Sequence, residues 1–311
     1  MKHYSIIFIL LLLCHLNAFA QETYTFAQRD TIELKMDVYR PAHPRADSAC
    51  VVYVFGGGFV TGSRQGREAK ICCQKIADQG FVAIAIDYRL WLKYIDGSKV
   101  GLFSMGKVFL KTFEIAAADC SAALRYIYDH ADQLRVARKR IILTGSSAGA
   151  VTVLQTDFCR ANGMAPAAEL PADFKPAAVI AYSGGVGCRT GKLKYATPPA
   201  PTCLFHGTID RVVPYSKISV PGRLSIYGAK QLAKVFDKNN YCYHIYRFAD
   251  RGHEVAMYLM QSTDAEYFGF IDAALAGRTF HYDTQCVDDG LQPNAWTHMT
   301  VMKLYTGKLP Q

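Results

Sequence analysis

Long apolar stretches are scarce in this chain of 311 residues. One runs from Ile6 to Leu13, far short of the roughly 20 residues a membrane-spanning helix needs, so stable insertion in a bilayer is not expected. Blocks of about five or more like charges are missing as well. The 35 Lys and Arg and 26 Asp and Glu, net +9, are scattered along the chain; such scatter marks a solvated surface and argues against a nucleic-acid partner. No two cysteines have the C-x-x-C spacing of a metal or redox motif. No internal repeat and no linker divides the sequence, so residues 21–311 read as one domain. What the chain does have is a composition that is half apolar, enough to build a large packed core.

The first twenty residues stand apart. Lys2 and His3 precede the apolar run, and Ala18-Phe19-Ala20 before Gln21 has the small-x-small form of a signal-peptidase site. Residues 1–20 are therefore expected to be a leader cleaved after Ala20, giving a secreted or periplasmic protein. Nine cysteines follow it, an odd number, so at least one stays unpaired. Cys72, Cys120, Cys203 and Cys242 fall in apolar helix or strand patterns, where cysteine acts as a small hydrophobe. A Cys159–Cys188 disulfide is compatible with export, though spacing does not establish it.

Hydrophobic periodicity then alternates. Thr31–Tyr39 alternates apolar and polar as a half-buried strand does, while Ala49–Phe55 and Phe81–Ile86 are continuous apolar runs, the mark of central parallel strands. Between them Arg67–Gln79 carries Ala69, Cys72, Cys73 and Ile76 on one helical face and stops at Gly80. The pattern predicts helices at about Val108–His130, Ser147–Arg160, Ile226–Phe236 and Thr263–Ala276, and strands at Ile141–Thr144, Ala177–Tyr182, Thr202–Phe205 and Tyr241–Arg247. Gly184–Pro201 reads as a long loop or lid, and no role is evident for the tail 279–311. Strand-helix repeats of this kind imply an α/β fold, a mostly parallel central sheet with helices on both faces.

The strand at Ile141 runs into Gly145-Ser146-Ser147-Ala148-Gly149, a G-x-S-x-G at a strand-to-helix junction. Small neighbours let the middle serine take a strained turn with its hydroxyl exposed, which makes Ser147 the candidate nucleophile. A serine needs a base, and the base a third group that fixes its tautomer. His253, on the loop ADRGHEV after a late strand, is placed for the first role; His206 is the lesser candidate. Asp210, on the loop of HGTIDRVVP, suits the second, with Asp250 as a rival on the histidine's own loop.

The order Ser147, Asp210, His253 is that of α/β-hydrolases. Through MDVYRPA (36–42), AIDYRL (85–90), AAADCSAALRYI (116–127), GSSAG (145–149) and HGTIDRVVP (206–214), the chain resembles α/β-hydrolase serine esterases of the carboxylesterase and hormone-sensitive-lipase-like type. The resemblance implies acyl transfer through an acyl-enzyme, with neither metal nor cofactor. It also implies a meaning for Phe55-Gly56-Gly57-Gly58-Phe59: an oxyanion loop whose Gly57 and Gly58 N–H groups join that of Ala148, each such donor being worth about 3 kcal/mol of barrier. Phe55 stands where those loops carry histidine, a departure that bears on how the loop is anchored and leaves the donors in place. The same glycines fail the P-loop pattern, which ends in Gly-Lys-Ser/Thr, and the dinucleotide pattern, because Thr61 occupies the third glycine position.

Leu90, Trp91, Leu92, Tyr94, Ile95, Leu102, Phe103 and Met105 form an insertion expected either to border the acyl pocket or to pack on the sheet. With no long N-terminal cap the cleft is expected to be fairly open, suiting short acyl groups, for instance acetyl on carbohydrate. Two other readings stay open: a prolyl-oligopeptidase-like serine peptidase, and a catalytically silent hydrolase fold used for binding.

Overall fold

Five buried strands, Cys50–Val54 (β3), Val82–Ile86 (β4), Ile141–Ser146 (β5), Ala178–Tyr182 (β6) and Thr202–Gly207 (β8), have every residue buried. That is what a parallel sheet covered on both faces requires. The computed structural model describes residues 21–189, 191–259, 261–287 and 293–306; the expected leader, residues 1–20, lies outside them. Glu22–Arg29 (β1), Ile32–Tyr39 (β2), Tyr243–Phe248 (β11) and His281–Cys286 (β12) complete a nine-stranded sheet in the order β1-β2-β4-β3-β5-β6-β8-β11-β12. β1, β2 and β4 pair antiparallel, and every other pairing is parallel.

The helices cover the sheet as their apolar stripes demand. Arg67–Asp78 (α1) buries Ala69, Cys72, Cys73, Ile76 and Ala77, the face its 3.6-residue period marks out. Leu102–Asp129 (α2), followed by the single turn Ala131–Leu134 (α3), packs on Ala148–Ala161 (α4), whose surface is almost wholly buried. Ala229–Lys238 (α5) packs on β11, and Asp264–Leu275 (α6) lies beside α1, joined to it by the Lys75–Asp264 ion pair. Right-handed crossovers that step one way from β3 to β4 and the other way from β5 to β6 put α1 and α4 on opposite faces. A last short helix, Val301–Thr306 (α7), follows β12.

Four expectations are corrected. Gly184–Pro201 is not wholly loop: Gly185–Arg189 (β7) pairs with Leu224–Gly228 (β10), which pairs in turn with Lys217–Val220 (β9). β7 is glycine-rich because it is crowded, and a Cβ on Gly187 would lie 2.6 Å from the Phe113 ring. The buried Gln155 amide bonds both the N–H and the C=O of Gly187, replacing a strand partner. Ile226 and Tyr227 belong to β10, so the next helix starts only at Ala229. α2 starts at Leu102 rather than near Val108, taking in Phe103 and Met105. Cys159 and Cys188 are separate thiols rather than a disulfide.

Trp91–Tyr94 form one 3-10 turn with Tyr94 largely exposed, and Leu90 and Leu92 pack against the core. Of the insertion, Phe103 is 79% exposed, so most of its surface is in solvent; the side chain of Leu102 lies outside those described.

An aromatic stack crosses three strands: Tyr182 lies 4.2 Å from Phe205, and Phe205 lies 4.7 Å from Tyr246, with ring planes nearly parallel. Phe205→Ala opens a cavity in the middle of that stack and is expected to lower the unfolding free energy by about 3–5 kcal/mol, as read from urea denaturation.

Candidate active site

The end of β5 is where the site begins. Ser147, between β5 and α4, has φ 51° and ψ −118°, a conformation that strains any residue with a Cβ. The surrounding backbone enforces it. A Cβ on Gly145 would come within 2.5 Å of the Gly149 carbonyl carbon, and one on Gly149 within 2.0 Å of the Val54 carbonyl oxygen. The helix can therefore start close against β3 only if both positions are glycine. The Ser147 N–H donates to the Tyr182 carbonyl at 2.9 Å, which holds the turn to β6.

Ser147 Oγ stands 2.8 Å from His253 Nε2, and His253 Nδ1 stands 2.9 Å from Asp210 Oδ2. The second bond assigns the tautomer: Nδ1–H donates to the carboxylate, which leaves Nε2 to accept the serine proton. His253 and Asp210 are 3% and 5% exposed, so the chain of bonds is shielded from water. Asp210 lies on the loop after β8, where its Oδ1 accepts the N–H groups of Val212 and Val213 at 2.9 and 3.1 Å. Burial alone raises a carboxyl, but the charge of His253 and hydrogen bonds from His206 and His253 outweigh it and hold Asp210 well below the ordinary 3.8.

His206 is no base. It is buried, with Nε2 3.0 Å from the Val213 carbonyl and 3.5 Å from Asp210 Oδ2, so it shapes the loop that carries the aspartate. Asp250 is exposed at a turn with φ 54° and takes no part in the bonds between Ser147, His253 and Asp210.

The glycine loop follows β3. Gly57 has φ 120°, and a Cβ there would lie 2.1 Å from the Thr61 carbonyl oxygen. Among the described residues the N–H groups of Gly57, Gly58 and Ala148 have no protein partner, which leaves them available to a ligand oxygen. Phe55 anchors the loop by packing: its ring lies 4.6 Å from that of Tyr88, whose hydroxyl donates to the Phe55 carbonyl at 2.9 Å. Phe59, at φ 61°, packs against Phe113, and Arg64 pins the far end through Asp37 and Asp87. A small cavity of about 200 Å³ borders Ser146 rather than Ser147, lined by Tyr53, Ile71, Cys72 and Leu259 together with Glu68 and Gln261. Among the described residues no group of three or more His, Cys, Asp or Glu is placed to hold a metal ion.

Sequence reasoning misses two contributors. Glu254, next to the histidine, is 1% exposed, and residues 293–306 run along the site. Only the adjacency of Glu254 to His253 could have hinted at the first; nothing in the sequence places the second.

The ionised Asp210 stabilises the fold above its ordinary value of 3.8, and this contribution is lost as pH falls through the lower folded value. Asp210→Asn removes it. In urea denaturation the stability gap between wild type and variant is expected to be widest above about pH 4 and to narrow as pH falls further; a gap independent of pH would contradict this.

A family model described as BD-FAE matches residues 36–97 and 108–169. The chain is 28% identical over 123 residues to the ethyl acetate hydrolase of Pseudomonas putida, covering 39% of this chain and 33% of that one. It is 25% identical over 138 residues to lipase 2 of Moraxella sp. strain TA144, covering 43% and 28%. The chain thus spans about a third of the length of the curated relatives it matches. Among solved structures it is similar to the thermophilic esterase 2 of Thermogutta terrifontis, at TM-score 0.56 and 22% identity over 83% of this chain and 91% of that one. Structures of that esterase with propionate and with butyrate bound match equally well, at TM-scores of 0.56 and 0.55 and 21% identity, covering 83% of this chain and 93% and 92% of theirs. The sheet order, the strained serine turn and the likeness to these solved structures together give the chain the α/β-hydrolase fold.

Proposed function

We propose that the chain is a serine esterase acting through Ser147, His253 and Asp210. The observation that carries this is the continuous pair of short bonds from Ser147 Oγ to His253 to the buried, ionised Asp210. His253 Nε2 takes the serine proton as Oγ attacks the ester carbonyl carbon. The negative charge that forms on the carbonyl oxygen is met by the N–H groups of Gly57, Gly58 and Ala148. The bond to the alcohol oxygen then breaks, and His253 returns the proton to the leaving alcohol. A water molecule, deprotonated by the same nitrogen, attacks the acyl-serine and releases the acid, and the proton goes back to Ser147. Asp210 orients the imidazole and stabilises it while charged.

A short acyl group is the finer part of the reading. The propionate and butyrate held by the Thermogutta esterase support it, as does the substrate in the name of the Pseudomonas relative. Export rests on the sequence of residues 1–20, and an acetylated carbohydrate as natural substrate rests on export together with short acyl groups. No helix among the described residues is long and apolar enough to cross a membrane.

Hydrolysis of p-nitrophenyl acetate, butyrate and octanoate by the chain lacking residues 1–20 tests the reading. The short esters are expected to be preferred, and Ser147→Ala to lower kcat/KM by about 10⁴-fold or more. Equal rates for wild type and Ser147→Ala would return the chain to the silent-fold reading.

A further inference from the structure

Residues 293–306 touch three of the four loops that carry the site, those of His253, Asp210 and Gly58. Near its start, the carbonyl of Trp296 accepts the peptide N–H of His253 at 3.2 Å, and the two rings lie 6.0 Å apart. Thr297 donates its hydroxyl to Glu254 Oε1 at 2.8 Å, and Glu254 Oε2 accepts the N–H of Gly252 at 2.9 Å. Thr297 and Glu254 are 3% and 1% exposed, so this clip is an internal bond rather than a surface one. The fit is close: a Cβ on Gly252 would stand 1.9 Å from the Thr297 carbonyl oxygen. Farther along, Thr300 bridges to Arg211, beside the triad aspartate, and the Val301 N–H donates to the Arg211 carbonyl. At the end of α7 the Tyr305 hydroxyl donates to the Gly58 carbonyl at 2.9 Å, with its ring 5.8 Å from Phe109. Leu304 Cδ2 lies 3.6 Å from the point where a Gly58 Cβ would be.

A helix of six residues is not stable by itself in water. Its place is set by these contacts at either end, and they hold it against the glycine loop whose N–H groups face the substrate. Gly58 offers no side chain on that side, so the nearest bulk over the loop belongs to Leu304 and Tyr305.

We propose that residues 293–306 form one wall of the ester-binding cleft, and that Leu304 and Tyr305 set the size of the ester group admitted over the oxyanion loop. The inference rests on the esterase reading. It gives residues 293–306 a role at the site.

The test measures kcat/KM for two series: p-nitrophenyl esters from acetate to octanoate, and acetate esters of alcohols of rising size. Leu304→Ala is expected to raise the long-to-short ratio about tenfold in one of the series, the scale of a few methylenes in an apolar pocket, and Leu304→Trp to lower it. The series that responds identifies the group that meets the wall. A merely structural role changes kcat for all esters together and leaves the ratios fixed. Ratios that move less than about twofold in both series, with both variants active, would overturn the proposal. A wild-type chain with no Ser147-dependent hydrolysis of any ester would instead overturn the esterase reading on which it stands.

Discussion

The structure depends on one close approach, that of the first turn of α4 to β3. Gly149 lies so near the Val54 carbonyl, and Gly145 so near Gly149, that neither position has room for a side chain. Bringing the helix this close forces Ser147 into positive φ and lifts its hydroxyl out of the end of the sheet. The cost of that backbone is met by the most buried part of the molecule: β3, β5 and β6 have no exposed residue, and nearly all of α4 is covered by α2 and the sheet. The same approach sets the α4 N-terminus, with the Ala148 N–H, next to the glycine loop that follows β3. The proposed nucleophile and the proposed oxyanion donors are thus placed by one packing contact.

Electrostatics supplies the other half. Asp210 is buried where desolvation works against its charge, yet the two histidines and two backbone N–H groups keep it ionised. A charged carboxylate in a shielded site can hold Nδ1–H of His253 firmly, which leaves Nε2 as the acceptor. His206 contributes through the loop, bonding the Val213 carbonyl while it faces the same carboxylate oxygen. Phe55 shows a similar substitution of means. Where related loops use histidine, this chain anchors the loop with an aromatic pair and the Tyr88 hydroxyl.

The parts of the fold written in local pattern were legible. Continuous apolar runs gave β3, β4 and β6, and the spacing of Ala69, Cys72, Cys73 and Ile76 gave the buried face of α1, because burial on both faces or on one stripe leaves its period in the residues. Ser147, Asp210 and His253 were legible for a related reason: each follows a strand, and the parallel pairing of those strands puts the loops at one end of the sheet. Elements shaped by neighbours were not. Gly185 and Gly187 read as loop because the crowding by Phe113 that demands glycine is tertiary. The strand HYDTQC is polar because it forms an edge of the sheet, so no apolar alternation marks it. Residues 293–306 are held by contacts with residues more than forty positions away, such as Thr297 with Glu254, and carry no local signature.

The central claim is that Ser147 is an activated nucleophile. Its most direct test is to incubate the chain with an organophosphonate ester carrying a good leaving group, then locate the adduct by peptide mass mapping. One phosphonyl group on Ser147, taken up in step with loss of esterase activity and absent from His253→Ala, is the predicted result. An unmodified Ser147, or an adduct on another residue that tracks the loss of activity, would contradict the account.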